Sequence, residues 1–228
     1  MNDTSGSESE MHGGPRPGRL RGAGALCGLA LSLVLVAGCG DDGGDGGGSA
    51  TSSTPSAGAT TATGQLTEDQ AERKALVPSA KIGYERAAAA ATQKVPGSRL
   101  VSEELKRAAG AGPQWHTEVA APDGTAHVVR VDAVSGKVLE SRAKADQDDG
   151  DKQELADRLS KAKVSPQDAA ATALGRTKGT VTAVELDDTD AGAVIWSVDV
   201  VTTGDWNKTT FDIDATHRKI LREHVDRD

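Results

Sequence analysis

Val129-Arg130-Val131-Asp132-Ala133-Val134-Ser135-Gly136-Lys137-Val138-Leu139 reads as a strand, a tight turn and a second short strand. It decides the fold because it returns 82 residues later as Phe211-Asp212-Ile213-Asp214-Ala215-Thr216-His217-Arg218-Lys219-Ile220-Leu221. Two more segments recur at an offset of 81: Leu100–Leu105 with Val181–Leu186, and Trp115-His116-Thr117-Glu118-Val119 with Trp196-Ser197-Val198-Asp199-Val200. A near-constant offset across three segments marks an internal repeat, with one residue gained before the closing hairpin. The units run from 66 to 146 and from 151 to 228.

Each unit opens with helices. Thr67-Glu68-Asp69-Gln70 is a capping box that starts one, and Leu155 to Lys163 is its counterpart. Tyr84, Ala87, Ala88 and Ala91 fall at helical spacing and make a thin face that can lie close on a sheet. In the second unit Ser165 is an N-cap, Pro166 sits at N1 and Gly175 is the expected stop. In the strands, alternation puts Trp196, Val198 and Val200 on one face with Phe211, Ile213 and Ala215. In the first unit Trp115, Thr117 and Val119 join Val129, Val131 and Ala133, provided Pro122-Asp123-Gly124 forms an odd-length loop with Gly124 left-handed. The fold class is α+β: two tandem repeats, each a helix pair packed on a three- to four-stranded antiparallel sheet. The pattern leaves open whether the two repeats pack together.

The Ala-rich helix, Val95-Pro96-Gly97 after it, Trp115 opening a strand and the Val131–Leu139 ending together resemble the PepSY domain. The resemblance covers nearly all of 66–228, twice over. It implies a small extracytoplasmic module without a catalytic motif, of a kind that restrains peptidases or senses ligands at the cell surface. The second copy departs at Arg218, where the turn glycine would stand. A non-glycine residue held left-handed costs about 1 kcal/mol, so a turn of different type or length is expected there.

The N-terminal 38 residues read as a signal peptide, with a basic flank through Arg21 and an apolar run from Ala23 to Ala37. That run falls short of the roughly 20 residues a membrane span needs, and Met11 is a second candidate start. It ends Leu35-Val36-Ala37-Gly38-Cys39, which resembles the bacterial lipobox with Val36 in the usual leucine position. That resemblance implies cleavage before Cys39, a lipid on its thiol, and a protein anchored at the extracytoplasmic face of the cell membrane. Residues 39–65, rich in Gly, Ser and Thr, form a flexible tether spanning about 28 Å on average. The signal segment holds as many acids as arginines, so its removal leaves the net charge at −8. An acidic head is repelled by phosphate backbones, which excludes nucleic acid as a partner. Cys27 and Cys39 are the only cysteines, so the head beyond the tether has neither a disulfide nor a Cys-ligated metal.

Catalytic signatures are absent: the chain has no Gly-x-Ser-x-Gly elbow, phosphate loop or His-Glu-x-x-His. His116 and His127 are expected on opposite sheet faces, about five residues apart along the ladder, which bars a shared metal or proton. His217 falls in a turn and His224 in a charged tail. The acidic runs Asp146–Asp151 and Asp187–Gly192 miss the EF-hand pattern and read as an inter-unit linker and a hairpin loop. No catalytic residue, metal or cofactor is therefore assigned. Trp115 and Trp196 read as core, whereas Trp206, in the polar loop Thr203–Lys208, is the candidate interaction residue. The expected function is a non-catalytic binding head on a lipid tether that regulates an envelope protein such as a peptidase. The alternatives are a sensor of a small ligand or metal, and a structural spacer of the envelope.

Overall fold

The computed structural model describes residues 65–227, so the signal segment, the Cys39 lipobox and all but the last tether residue lie outside the described residues. Helix α1 (Glu68–Leu76) starts at the capping box: Thr67 Oγ1 accepts from the Gln70 amide at 3.2 Å, and Gln70 Oε1 accepts from the Thr67 amide at 3.0 Å. A 3₁₀ turn at Val77–Ser79 leads to α2 (Tyr84–Lys94), whose Tyr84, Ala87, Ala88 and Ala91 are buried. Its partner in the second repeat, α4 (Pro166–Arg176), is capped by Ser165 and buries Ala169, Ala170 and Ala173.

Two helix boundaries differ from expectation. Helix α3 (Asp149–Lys161) begins six residues before Leu155, because Asp148 is its N-cap and accepts from the Asp151 amide at 2.8 Å. Part of the acidic run taken for a linker is thus a capping box with aspartate at both ends, which hides it from a search for Ser/Thr and Glu/Gln. Helix α4 runs through Gly175 to Arg176, with Thr177 as its C-cap. Gly175 has no positive φ there, and a glycine within the last turn lowers helix propensity without forcing a stop.

The strands are β1 (Arg99–Arg107), β2 (Pro113–Ala120), β3 (Ala126–Asp132) and β4 (Val138–Ala143) in the first repeat. In the second they are β5 (Thr180–Asp188), β6 (Val194–Val201), β7 (Lys208–Asp214) and β8 (Ile220–Asp226). All eight form one antiparallel sheet in the order β4-β3-β2-β1-β5-β6-β7-β8, so the repeats join edge to edge. The tail expected to be solvated is the edge strand β8, paired along β7 from Ile220 to Asp226. The bulge between Leu100 and Ser102 in β1 recurs between Val181 and Ala183 in β5.

The seam between the repeats is short. Ser102 faces Glu185, Glu103 faces Val184 and Glu104 faces Ala183, three pairs against the eight that join β1 to β2. Glu103 and Val184 are the same position of the repeat, so a local two-fold axis passes between them.

One face of the sheet carries the helices and the core. Trp115 pairs with Val131, Thr117 with Val129, Trp196 with Ile213 and Val198 with Phe211, as the alternation predicts. The two tryptophans, 1% and 0% exposed, donate their indole N–H groups to the carbonyls of Ile82 (3.1 Å) and Val164 (2.9 Å), just ahead of α2 and α4. Each tryptophan fixes the height of its helix over its strands. The same role is repeated by the amides of Lys81 and Ile82 on the Ala133 carbonyl, and of Lys163 and Val164 on the Ala215 carbonyl.

The first helix of each repeat reaches across to the other. From α1, Gln70 donates to Asn207 Oδ1 (2.9 Å) and Arg73 donates to the Trp206 carbonyl (3.2 Å) and to Asp226 (2.7 Å). Ahead of α3, Gln147 donates to the Gly124 carbonyl (2.8 Å), while Arg99 of β1 donates to the carbonyls of Leu159 (2.6 Å) and Ala162 (3.1 Å) at its end.

Candidate functional site

With the helices on one face, the other face of the sheet is open to solvent. At the local two-fold it forms a shallow depression of about 370 Å³, lined by Glu104, Glu118, Glu185 and Asp199 together with Lys106 and His116. The alternation that points Trp115, Thr117 and Val119 at the helices points His116 and Glu118 here. Most of the carboxylates have lysine partners on the same sheet: Lys106 to Glu104 at 2.7 Å, Lys144 to Glu118 at 2.8 Å and Lys208 to Asp199 at 3.6 Å. Partial burial, then the neighbouring Asp187, Glu104 and Glu118, raise the Glu185 carboxyl above the ordinary range. Burial, then Lys106 and Arg130, hold the His116 imidazole below its ordinary value. Its Nε2 is covered and has no hydrogen-bond partner. The result is a polar surface on which three of the four carboxylates have a lysine partner.

His116 pairs with Arg130, and His127 with Val119, so the two stand three ladder positions apart, not the five expected. That is roughly 10 Å along the strand. They still lie on opposite faces and cannot share a metal or proton. His217 Nδ1 sits 3.2 Å from Asp214 in an exposed turn, and His224 lies on β8 opposite Thr210. Among the described residues no three His, Cys, Asp or Glu side chains are grouped to hold a metal ion. Nor is any helix there long and apolar enough to cross a membrane.

The loops at the sheet ends place Trp206. The first repeat closes β2 to β3 with Ala121–Thr125, and Gly124 is left-handed at φ 83° as expected. The second repeat uses one more residue between Val201 and Lys208, which accounts for the change of offset, and Trp206 takes the glycine's place at φ 61°. Trp206 is half-buried, and its carbonyl is held by Arg73. Asp205 accepts from the Asn207 amide (3.1 Å) and pairs with the Thr202 hydroxyl, as Asp123 accepts from the Thr125 amide (2.9 Å) in the first repeat. The closing turns also match. Asp132 accepts from the Gly136 amide and Asp214 from the Arg218 amide, each through its carbonyl, and Arg218 is left-handed at φ 60°. The expected change of turn type does not occur. Arg218 instead keeps the glycine geometry and sets its guanidinium 3.1 Å from Asp168 and 2.7 Å from the Thr172 hydroxyl on α4.

Two features escaped the sequence reading. Leu139 and Leu221, 49% and 46% exposed, are the same position of the two closing hairpins, each the second of two consecutive apolar residues. In a strand such neighbours cannot both face the core, and that was the available signal. The other is Glu103, 1% exposed on the helix side of β1, with its Oε1 accepting from the Thr117 hydroxyl at 3.0 Å and its Oε2 without a partner. Its parity with Val101 and Leu105 puts an acid on the core face of that strand.

Fold and surface define a class: two helix-on-sheet units fused through one sheet, with a bare polar face. The PepSY family (peptidase propeptide and YPEB domain) matches the chain twice, over residues 81–142 and 163–224, which together exceed half of its length. The chain belongs to the PepSY family. Among solved structures it is similar to a provisionally assigned lipoprotein, CD1622, of Clostridium difficile 630, at 21% identity and a TM-score of 0.41, over 64% of this chain and 95% of that one. It is also similar to the YpmB protein of Bacillus subtilis, at 20% identity and a TM-score of 0.28, over 64% and 99%. No curated protein matches it.

Proposed function

We propose that this chain is a lipid-anchored, extracytoplasmic binding head without catalytic chemistry, whose tandem PepSY units dock onto an envelope protein and regulate it. The observation that carries the reading is the double PepSY match, in a family described by peptidase propeptides, on a fold that leaves a whole sheet face bare. A propeptide acts by contact, and a rigid sheet face with loops at its ends supplies contact. In this reading a peptidase is the regulated partner, Cys39 carries the lipid, the segment after it is the spacer, and Trp206 contributes to the docking loops.

The test uses the full chain, immobilised as wild type and as Trp206→Ala, and exposed to a detergent extract of the host envelope. The expected result is a peptidase retained by wild type, at least tenfold depleted on the variant, whose cleavage of casein falls when the soluble chain is added. Equal retention removes Trp206 from the interface. A retained protein with undiminished casein cleavage removes the peptidase reading. Cys39→Ala tests the anchor separately: the variant should move from the membrane to the soluble fraction, and a chain that stays membrane-bound overturns the lipobox assignment.

A further inference from the structure

The seam on the two-fold axis holds three carboxyls: Glu104 and Glu185 line the open face, while Glu103 lies on the helix side and is poorly accommodated. Glu103 occupies the middle of the three ladder pairs that join β1 to β5. Its side chain is 1% exposed, one oxygen receives the Thr117 hydroxyl and the other has no partner. Val184 faces it from β5, Thr117 from β2 and the Tyr84 phenol from α2, itself raised chiefly by burial and then by Glu85. The charged side chains of α2 (Glu85, Arg86, Lys94) and of α4 (Asp168, Arg176) are all exposed. Among the described residues no cation pairs with the carboxylate. The second repeat shows the apolar solution at the same places, where Val184 and Val198 stand for Glu103 and Thr117.

We propose that this seam is a proton-dependent joint, closed while the Glu103 carboxyl carries its proton and loosened when the proton leaves. A neutral carboxyl with one hydrogen bond is tolerable among apolar neighbours, whereas a buried carboxylate without a cation is not. The shortness of the seam makes it the place where that penalty is felt, because two flanking pairs are all that hold β1 to β5 beside it. Burial pushes the Glu103 carboxyl up to about 8 from an ordinary 4.5, against the lowering effect of the Thr117 hydrogen bond. Between these values the unfolded chain has released a proton that the folded chain keeps. Stability therefore falls as pH rises through that window and levels off above its upper end.

The experiment compares the full chain with Glu103→Gln, which keeps the shape and the Thr117 contact but cannot ionise, from pH 5 to pH 9. The melting temperature of wild type should fall relative to the variant by roughly 5–10 °C between pH 5 and pH 8 and then stay level. At pH 9, backbone amides of 102–104 and 183–185 should exchange with deuterium at least tenfold faster in wild type than in the variant, and at equal rates at pH 5. Should Glu103→Gln fail to fold, the double variant Glu103→Val, Thr117→Val, which copies the second repeat, is the pH-insensitive reference. Parallel melting profiles overturn the proposal. So does a pH-dependent difference in exchange that spares the seam and appears elsewhere.

Discussion

The two repeats share a backbone and differ in how they fill it. In both, a tryptophan ties the segment before the packed helix to the sheet, an alanine face lets that helix lie close, and the bulges fall at the same positions. At two of its left-handed positions the first repeat has glycine, Gly124 and Gly136, where the second has Trp206 and Arg218. The first also buries Glu103 and Thr117 where the second has Val184 and Val198. The lesson is that a left-handed site demands glycine only when its surroundings do. A Cβ on Gly124 would stand 1.8 Å from the Lys152 carbonyl oxygen, so α3 occupies the space a side chain would need. At Gly136 the nearest atoms are side-chain ends of Arg86 and Ile82 at 3.6 Å, which is ordinary contact.

The comparison can be broken most forcefully at the shared tryptophans. Trp115→Ala and Trp196→Ala should each lower unfolding free energy by about 3–5 kcal/mol, and chemical denaturation should show them equal within about 1 kcal/mol. A large inequality would mean that one repeat alone carries the fold. Next come the loop positions. Gly124→Ala should cost about 2–3 kcal/mol, combining left-handed strain with displacement of the Lys152 backbone. Trp206→Gly, which relieves the same strain and gives up part of a half-buried ring, should stay within about 1 kcal/mol of wild type. The smallest effect is at the closing turns. Arg218→Gly should gain about 0.5 kcal/mol, because strain relief of about 1 kcal/mol outweighs an exposed pair with Asp168. Gly136→Arg should lose about 1 kcal/mol. Thermal melts of this reciprocal pair would sharpen the asymmetry, and two shifts of the same sign would refute it.

How far the chain could be read from its letters follows from what is periodic. Alternation around Trp115 and Trp196 placed the core faces and the hairpin registers, since a one-residue slip would turn every apolar side chain outward. Capping at Thr67 and Ser165 was legible because those residues use the common signature. The start of α3 was not, because two aspartates do the capping inside a run that looks like solvated linker. The joining of the repeats was hidden for a different reason. Ser102-Glu103-Glu104 reads as a polar strand edge, and only three dimensions reveal that its middle residue is sealed against its own counterpart. Of the exposed candidates only Trp206 was legible, while Leu139 and Leu221 lay in the same dipeptide that betrayed the repeat.

The crossing of the first helices bears on how the chain assembles. Helix α1 is the first element of the described chain to be synthesised, yet its partners Trp206, Asn207, Asp226 and Arg227 are among the last. The bonds from Gln70 and Arg73 span 133 to 157 residues, among the longest loops a chain of this size can close. Such contacts form late, after local hairpins and the packed helices are in place. Helix α1 itself has no fully buried side chain, and its nearer hold on the core is Leu76 at its C-terminal end, only partly buried. A chain stopped before Asp226 loses the Arg73–Asp226 pair and the Gln70 bond to the Arg227 carbonyl, and holds its first helix only through the Trp206–Asn207 loop.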